Sequence, residues 1–340
     1  MSPSFRLGRR ERPPASLHSW LTRVLAEEPA LGDASLRRAA RHAAMGSWEH
    51  ARDLLAATGK DWALRTHRIS VLAHGALGLQ WPTAWLLAEP ESLDARVLGA
   101  QVDVLELRAL ILRRDPSATN ELAEAVVEGL EELAELAPAD PGPWISLLTL
   151  APVLGEGRAV RTRWGEASFE TGEQSFEWFS EALARDPENW LAHQLMLRAQ
   201  ISRLRMSPPR ESLALLDYAA AAAAAADPDS PLIVLGVHAA AALDQAALVP
   251  LLRPSELGWF TERLAQDLDA AFEGWFRGAG LRRHPQAGYD LAALAGALDR
   301  VRRGADAHEV ATELAALTGI PLPPDAAAEP SPSAESPPAG

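Results

Sequence analysis

Apolar residues return every three or four positions along most of the chain, the period of a helix with one buried face. One run shows the pattern. Leu122, Val126, Leu130 and Leu133 form an apolar stripe, and Glu121, Glu124, Glu128, Glu131 and Glu135 an acidic stripe beside it. Residues able to cap a helix or sit in its first turn open these runs, at Ser16, Asp33, Ser47, Asp61, Ser92, Ser117, Asp140, Asn189, Ser230, Ser255 and Asp306. Gly or Pro closes most of them. The pattern predicts about fourteen helices and no sheet. Its least regular stretch is 155–173, where Gly155, Gly157, Gly165 and Gly172 interrupt any period. Long irregular segments are uncommon in helical arrays, so this stretch is the candidate functional loop.

Composition points the same way, with 66 Ala and 52 Leu against 14 Val and 6 Ile. That balance favours helix and leaves strands short of β-branched residues, so the fold class read here is all-α. At 340 residues two domains or an elongated array of helix pairs is more usual for an all-α chain than one compact domain. A recurring dipeptide favours the array. Glu28-Pro29, Glu89-Pro90, Asp140-Pro141, Asp186-Pro187 and Asp227-Pro228 each end or begin a helix, the last four spaced by 51, 46 and 41 residues. A helix pair with its turns takes roughly 34 to 47 residues in the common α-solenoids.

Two windows carry a closer likeness. Gly46-Ser47-Trp48-Glu49-His50-Ala51 has a helix-ending Gly, an aromatic two residues on and a small Ala three further, and Phe179, Ala182 and Pro187 follow the spacing F-x2-A-x4-P. In these windows the chain resembles the tetratricopeptide repeats, with Ser175 where that family has Ala. The windows cover under a tenth of the chain. Arg163-Trp164-Gly165, an aromatic helix and Asp186-Pro187 also resemble, faintly, a group of bacterial helical-repeat proteins, a likeness that implies no activity. The resemblance implies an α-solenoid of degenerate, tetratricopeptide-like helix pairs with a concave surface for a protein or peptide.

The folded body is read as residues 15–319. Residues 1–14 form a basic arm too rich in Arg to pack, and 320–340 a tail with seven Pro, five Ala and three Ser in its last twenty positions. Neither a secretory leader nor a membrane-spanning run is evident, so a cytoplasmic location is expected. The formal charge of −14 repels phosphate backbones, so nucleic acid and membranes are not expected partners.

The chemistry-bearing motifs are incomplete. The chain has no cysteine. His308-Glu309-Val310-Ala311-Thr312 lacks the second imidazole of a zinc helix, Gly59-Lys60-Asp61 fails as a phosphate loop, and Gly155-Glu156-Gly157 as a dinucleotide fingerprint. Asp267-Leu268-Asp269 with Glu273 has no second acidic motif to face, so no metal and no cofactor is expected. His67 and His74 lie two turns apart on a helix predicted over 61–76, about 10.5 Å of rise and too far to share a metal. The run 219–226 is nearly all Ala and reads as a site of close helix packing.

Among the eleven tryptophans, Trp48 and Trp178 read as wedges between helices. Trp164 differs, because Arg161 and Arg163 share its irregular loop and this is the composition of interface hot spots. Arg161, Arg163 and Trp164, with Trp190 and His193 at the head of a later helix, are the candidate partner-binding residues. The functional reading is a non-catalytic scaffold binding a protein or peptide. Two alternatives stand beside it: an enzyme whose site gathers Arg161, His193 and Glu173, and a structural subunit of a larger assembly.

Overall fold

The computed structural model describes residues 16–154, 159–162, 165–168, 173–204, 209–278 and 285–323. Over these residues the chain is overwhelmingly helical, in line with the all-α class. Local chemistry starts the helices where the capping pattern places them. Ser16, Asp33, Asp61, Ser92 and Asn189 each accept a hydrogen bond from the backbone N–H three residues on. Ser117 does not cap: its hydroxyl donates to Asp115, and Thr119 accepts from the N–H of Leu122 instead.

Two layers follow from the order in which the helices pack. The inner series is α2 (Ala34–Ala44), α4 (Trp62–Ala76), α6 (Leu93–Leu112), α8 (Gly142–Leu154), α10 (Trp190–Leu204), α12 (Leu235–Gln245) and α14 (Ala287–Arg300), each packed on the next member. α8 shows why: its sequence GPWISLLTLAPVL has no polar face, and the helix is buried along nearly its whole length. The outer helices are α3 (Glu49–Thr58), α5 (Trp81–Ala88), α7 (Asn120–Leu136), α9 (Glu173–Leu183), α11 (Ala214–Ala225), α13 (Pro254–Asp269) and α15 (Gly304–Thr318). Each packs on an inner helix adjacent to it in the chain. The small residues of the two repeat-like windows, Ala51 and Ala182, are fully buried.

The two ends of this succession meet. α1 (Leu17–Glu27) puts Trp20, Leu21 and Val24 into one core with Leu291 and Leu298 of α14 and Leu314 of α15. The indole N–H of Trp20 donates to the carbonyl of Pro321 at 2.9 Å. Two glycines permit the approach. Gly32 has φ +87°, and a Cβ there would stand 2.6 Å from the carbonyl oxygen of Leu317; a Cβ on Gly288 would stand 2.6 Å from the Leu31 side chain. A free-ended stack makes no such contact. Ile320 and Leu322 pack partly against the same core, while 324–340 and the arm 1–14 lie outside the described residues.

One sequence expectation needs correction, that of no sheet. The stretch 155–173 contains a short hairpin, β1 (Ala159–Thr162) antiparallel to β2 (Gly165–Ser168), with Arg161 opposite Glu166 and Thr162 opposite Gly165. Two four-residue segments separated by two residues make the shortest common hairpin, a spacing hidden by the glycines around it. β1 lies against α7 and β2 against α9. The alanine run of α11 packs on one side only: Ala219 is buried and Ala222 and Ala226 pack partly against the neighbouring core, while Ala221, Ala224 and Ala225 are exposed.

Candidate docking groove

The residues singled out in the sequence do not converge on one surface. Arg163 and Trp164 lie outside the described residues, and Arg161 is placed only by its backbone in β1. Trp190 and His193 are interior, which removes them from a partner-binding surface. The Trp190 indole donates to Asp290 Oδ1 at 2.9 Å and stacks on Tyr289, while His238 Nε2 approaches the same Asp290 oxygen at 2.5 Å. His193 packs edge-on against Phe179. Its Nε2 stands 3.2 Å from the Pro187 carbonyl, which can only accept, so Nε2 carries the proton and Nδ1 accepts from the Tyr218 hydroxyl at 2.7 Å. Burial holds the His193 pKa below its ordinary value and pushes the Tyr218 phenol up, and both groups stay neutral in the core. These side chains tie α10 to α11, α12 and α14.

The two histidines on α4 part company. His67 is buried, while His74 is exposed and its Nδ1–H donates to the Ser70 carbonyl at 2.8 Å.

A recess open to solvent lies between α5, α6 and α7. Its walls are two helical stripes of 3,4 spacing facing each other: Gly99, Ala100, Asp103 and Leu110 on α6, and Leu122, Ala125, Gly129 and Leu136 on α7, with Leu86 of α5 at one edge. The groove measures about 560 Å³, within the range of ligand-binding clefts. Small residues make its floor. A Cβ added at Gly99 or Gly129 would meet nothing within 4 Å, so the depression is real and not filled by neighbouring side chains. Leu86, Leu122 and Leu136 remain exposed along it. The apolar stripe of α7 is therefore divided: Leu130 and Leu133 enter the core, and Leu122 faces outward with Val126 half-buried.

Charge at the groove is one-sided. Asp103, Glu106 and Glu132 line it with a single arginine, Arg96, whose guanidinium lies 3.7 Å from Glu91. Burial, then the nearby Glu106, raises the Asp103 pKa above the ordinary carboxylate value. The acidic stripe expected on α7 is not uniformly solvated either: Glu131 is buried, and the carboxylates at the groove are Glu132 and the two on α6. Sequence reasoning found the α7 periodicity but missed its counterpart on α6. The available signal was a pair of 3,4 stripes in which Gly and Ala stand where large apolar residues usually complete a helix contact.

No helix among the described residues is long and apolar enough to cross a membrane. No family model matches the chain, and neither a curated protein nor a solved structure matches it.

Proposed function

We propose that the chain is a non-catalytic scaffold of degenerate, tetratricopeptide-like helix pairs, and that the groove between α5, α6 and α7 docks a basic amphipathic helix of a partner protein. The observation that carries this reading is the union of an apolar, small-floored groove with carboxylates that lack enough basic neighbours. An amphipathic helix laid in such a groove buries leucines against leucines. Its Lys or Arg residues meet Asp103, Glu106 and Glu132 at the rim, which supplies orientation and partner choice. The buried Ala51 and Ala182 support the repeat-like pairing of helices.

Gly129→Leu provides the test, because the open space above Gly129 accepts a side chain and Leu is the better helix former. A helical peptide with Leu on one face and Arg on the other should bind the native chain and lose roughly tenfold or more in affinity against this variant, with thermal stability kept. Equal binding to the variant, or equal binding by a Glu-bearing peptide of the same apolar face, would overturn the reading. Self-association abolished by Gly129→Leu would replace the partner helix with a second copy of this chain.

A further inference from the structure

Four inner helices close a cycle: α4 packs on α6, α6 on α8, α8 on α10, and α10 back on α4. A cavity of about 90 Å³ lies among them. This is room for several water molecules or one compact head group, and not for a helix. Its lining includes Arg108 of α6, Arg198 of α10 and His74 of α4, and no Asp or Glu, although the chain carries 46 acids against 32 Lys and Arg. Other arginines of this region are answered within the chain. Arg37 pairs with Glu28, Arg68 with Asp33, and Arg65 with both Asp94 and Asp140. Arg108 and Arg198 meet no carboxylate among the described residues.

We propose that this cavity binds a compact phosphate-class oxyanion between the guanidinium groups of Arg108 and Arg198. Arg198 keeps an exposed side chain and Arg108 a half-buried one, and two like charges lining one cavity repel each other until a counter-charge joins them. A dianion answers both at once, and the planar guanidinium fork matches phosphate oxygens in paired hydrogen bonds. Burial, then the charge of Arg108, holds the Arg198 pKa below its ordinary value, with Tyr289 opposing. At the rim, His74 spends Nδ1–H on the Ser70 carbonyl and keeps Nε2 as its other polar atom. Opposite, the Ser146 hydroxyl bonds Gln101 Oε1 and fixes that wall.

The full chain is titrated with inorganic phosphate and, separately, with glycerol phosphate, against sodium chloride of matched ionic strength. Binding is read by equilibrium dialysis and by melting temperature. Phosphate or its monoester should raise the melting temperature above the chloride control. Arg108→Gln and Arg198→Gln should each lose roughly tenfold or more in affinity, while the unliganded variants melt at or above the native temperature, because one of two like charges is gone. Arg113→Gln, on the exposed end of α6, should bind as the native chain does. Tighter binding of the monoester assigns the site to a phosphorylated small molecule, and equal binding to free phosphate; either supports the proposal. Should a Gln variant fail to fold, Arg198→Lys keeps the charge, loses the fork and should lose affinity in the same assay. No gain over chloride with either anion, undiminished binding in both variants, or acetate binding as tightly as phosphate would overturn it. Gly129→Leu should leave phosphate binding unchanged, so this result and the docking result fail independently.

Discussion

Arg65 and Arg198 stand on neighbouring inner helices, α4 and α10, and differ both in burial, Arg65 being buried and Arg198 exposed, and in the charges around them. Around Arg65, 6% exposed, Asp94 lies 2.7 Å from one guanidinium nitrogen and Asp140 3.1 Å from another. Burial works against the Arg65 charge, but Asp140 and Asp94 outweigh it and leave its pKa above the ordinary value. Asp140 also accepts the N–H of Gly142 at the start of α8, so Asp140 joins α4 to α8 while Asp94 joins α4 to α6, both through Arg65. Arg198 faces Arg108 and no carboxylate, and its pKa moves the other way. A buried charge answered inside the chain is a structural clamp. A pair of like charges left unanswered on the wall of a cavity that reaches solvent is a place for something from outside.

The comparison breaks most readily at Asp140. Asp140→Ala should cost about 3–5 kcal/mol in urea unfolding at neutral pH, since it leaves Arg65 buried and half-answered. A loss under about 1 kcal/mol would make the clamp ornamental and remove the contrast with Arg198, whose neutralisation carries the opposite sign. A buried carboxyl group offers a second case. Asp290 is 0% exposed and is met by Trp190 and His238, so Trp190→Phe, which keeps the ring and removes the N–H, should cost about 1–3 kcal/mol by the same measurement.

The smallest effect is expected at the docking groove. The raised pKa of Asp103 means the folded state binds its proton more tightly than the unfolded state does, so its stability falls as pH climbs through that pKa and the penalty is complete at neutral pH. Asp103→Asn should therefore raise the melting temperature slightly at pH 7 and leave it unchanged below the ordinary carboxylate value of 3.8. A variant that melts lower at pH 7 would show that Asp103 is already answered by a cation.

Much of the fold was legible because its signals are local. Ser16, Asp33, Asp61 and Asn189 announce helices through their own side chains, and the apolar α8 announces an inner position through its composition. The hairpin was missed because its two strands are four residues each, too short for alternation to stand out among glycines. Trp190 and His193 were misplaced for a different reason. Whether an aromatic residue at a helix start faces outward depends on partners such as Asp290 and Tyr218, which lie 100 and 25 residues away. Arg108 and Arg198 were invisible for the same reason: their meaning lies in which carboxylates are missing from a space that only packing defines.

The bond from Trp20 to Pro321 joins residues 301 positions apart, and it bears on the order in which this chain can mature. On a ribosome the first helix emerges long before α14, α15 and residues 320–322, against which it completes its core, have been made. Trp20, Leu21 and Val24 are therefore without their native neighbours during most of synthesis, a window in which chaperones or aggregation compete for them. The same closure brings the start and finish of the described chain, residues 16 and 323, onto one side of the molecule. A short linker joining them, with new ends cut in the α11–α12 connection, should yield a permuted chain that folds without the longest of these waits.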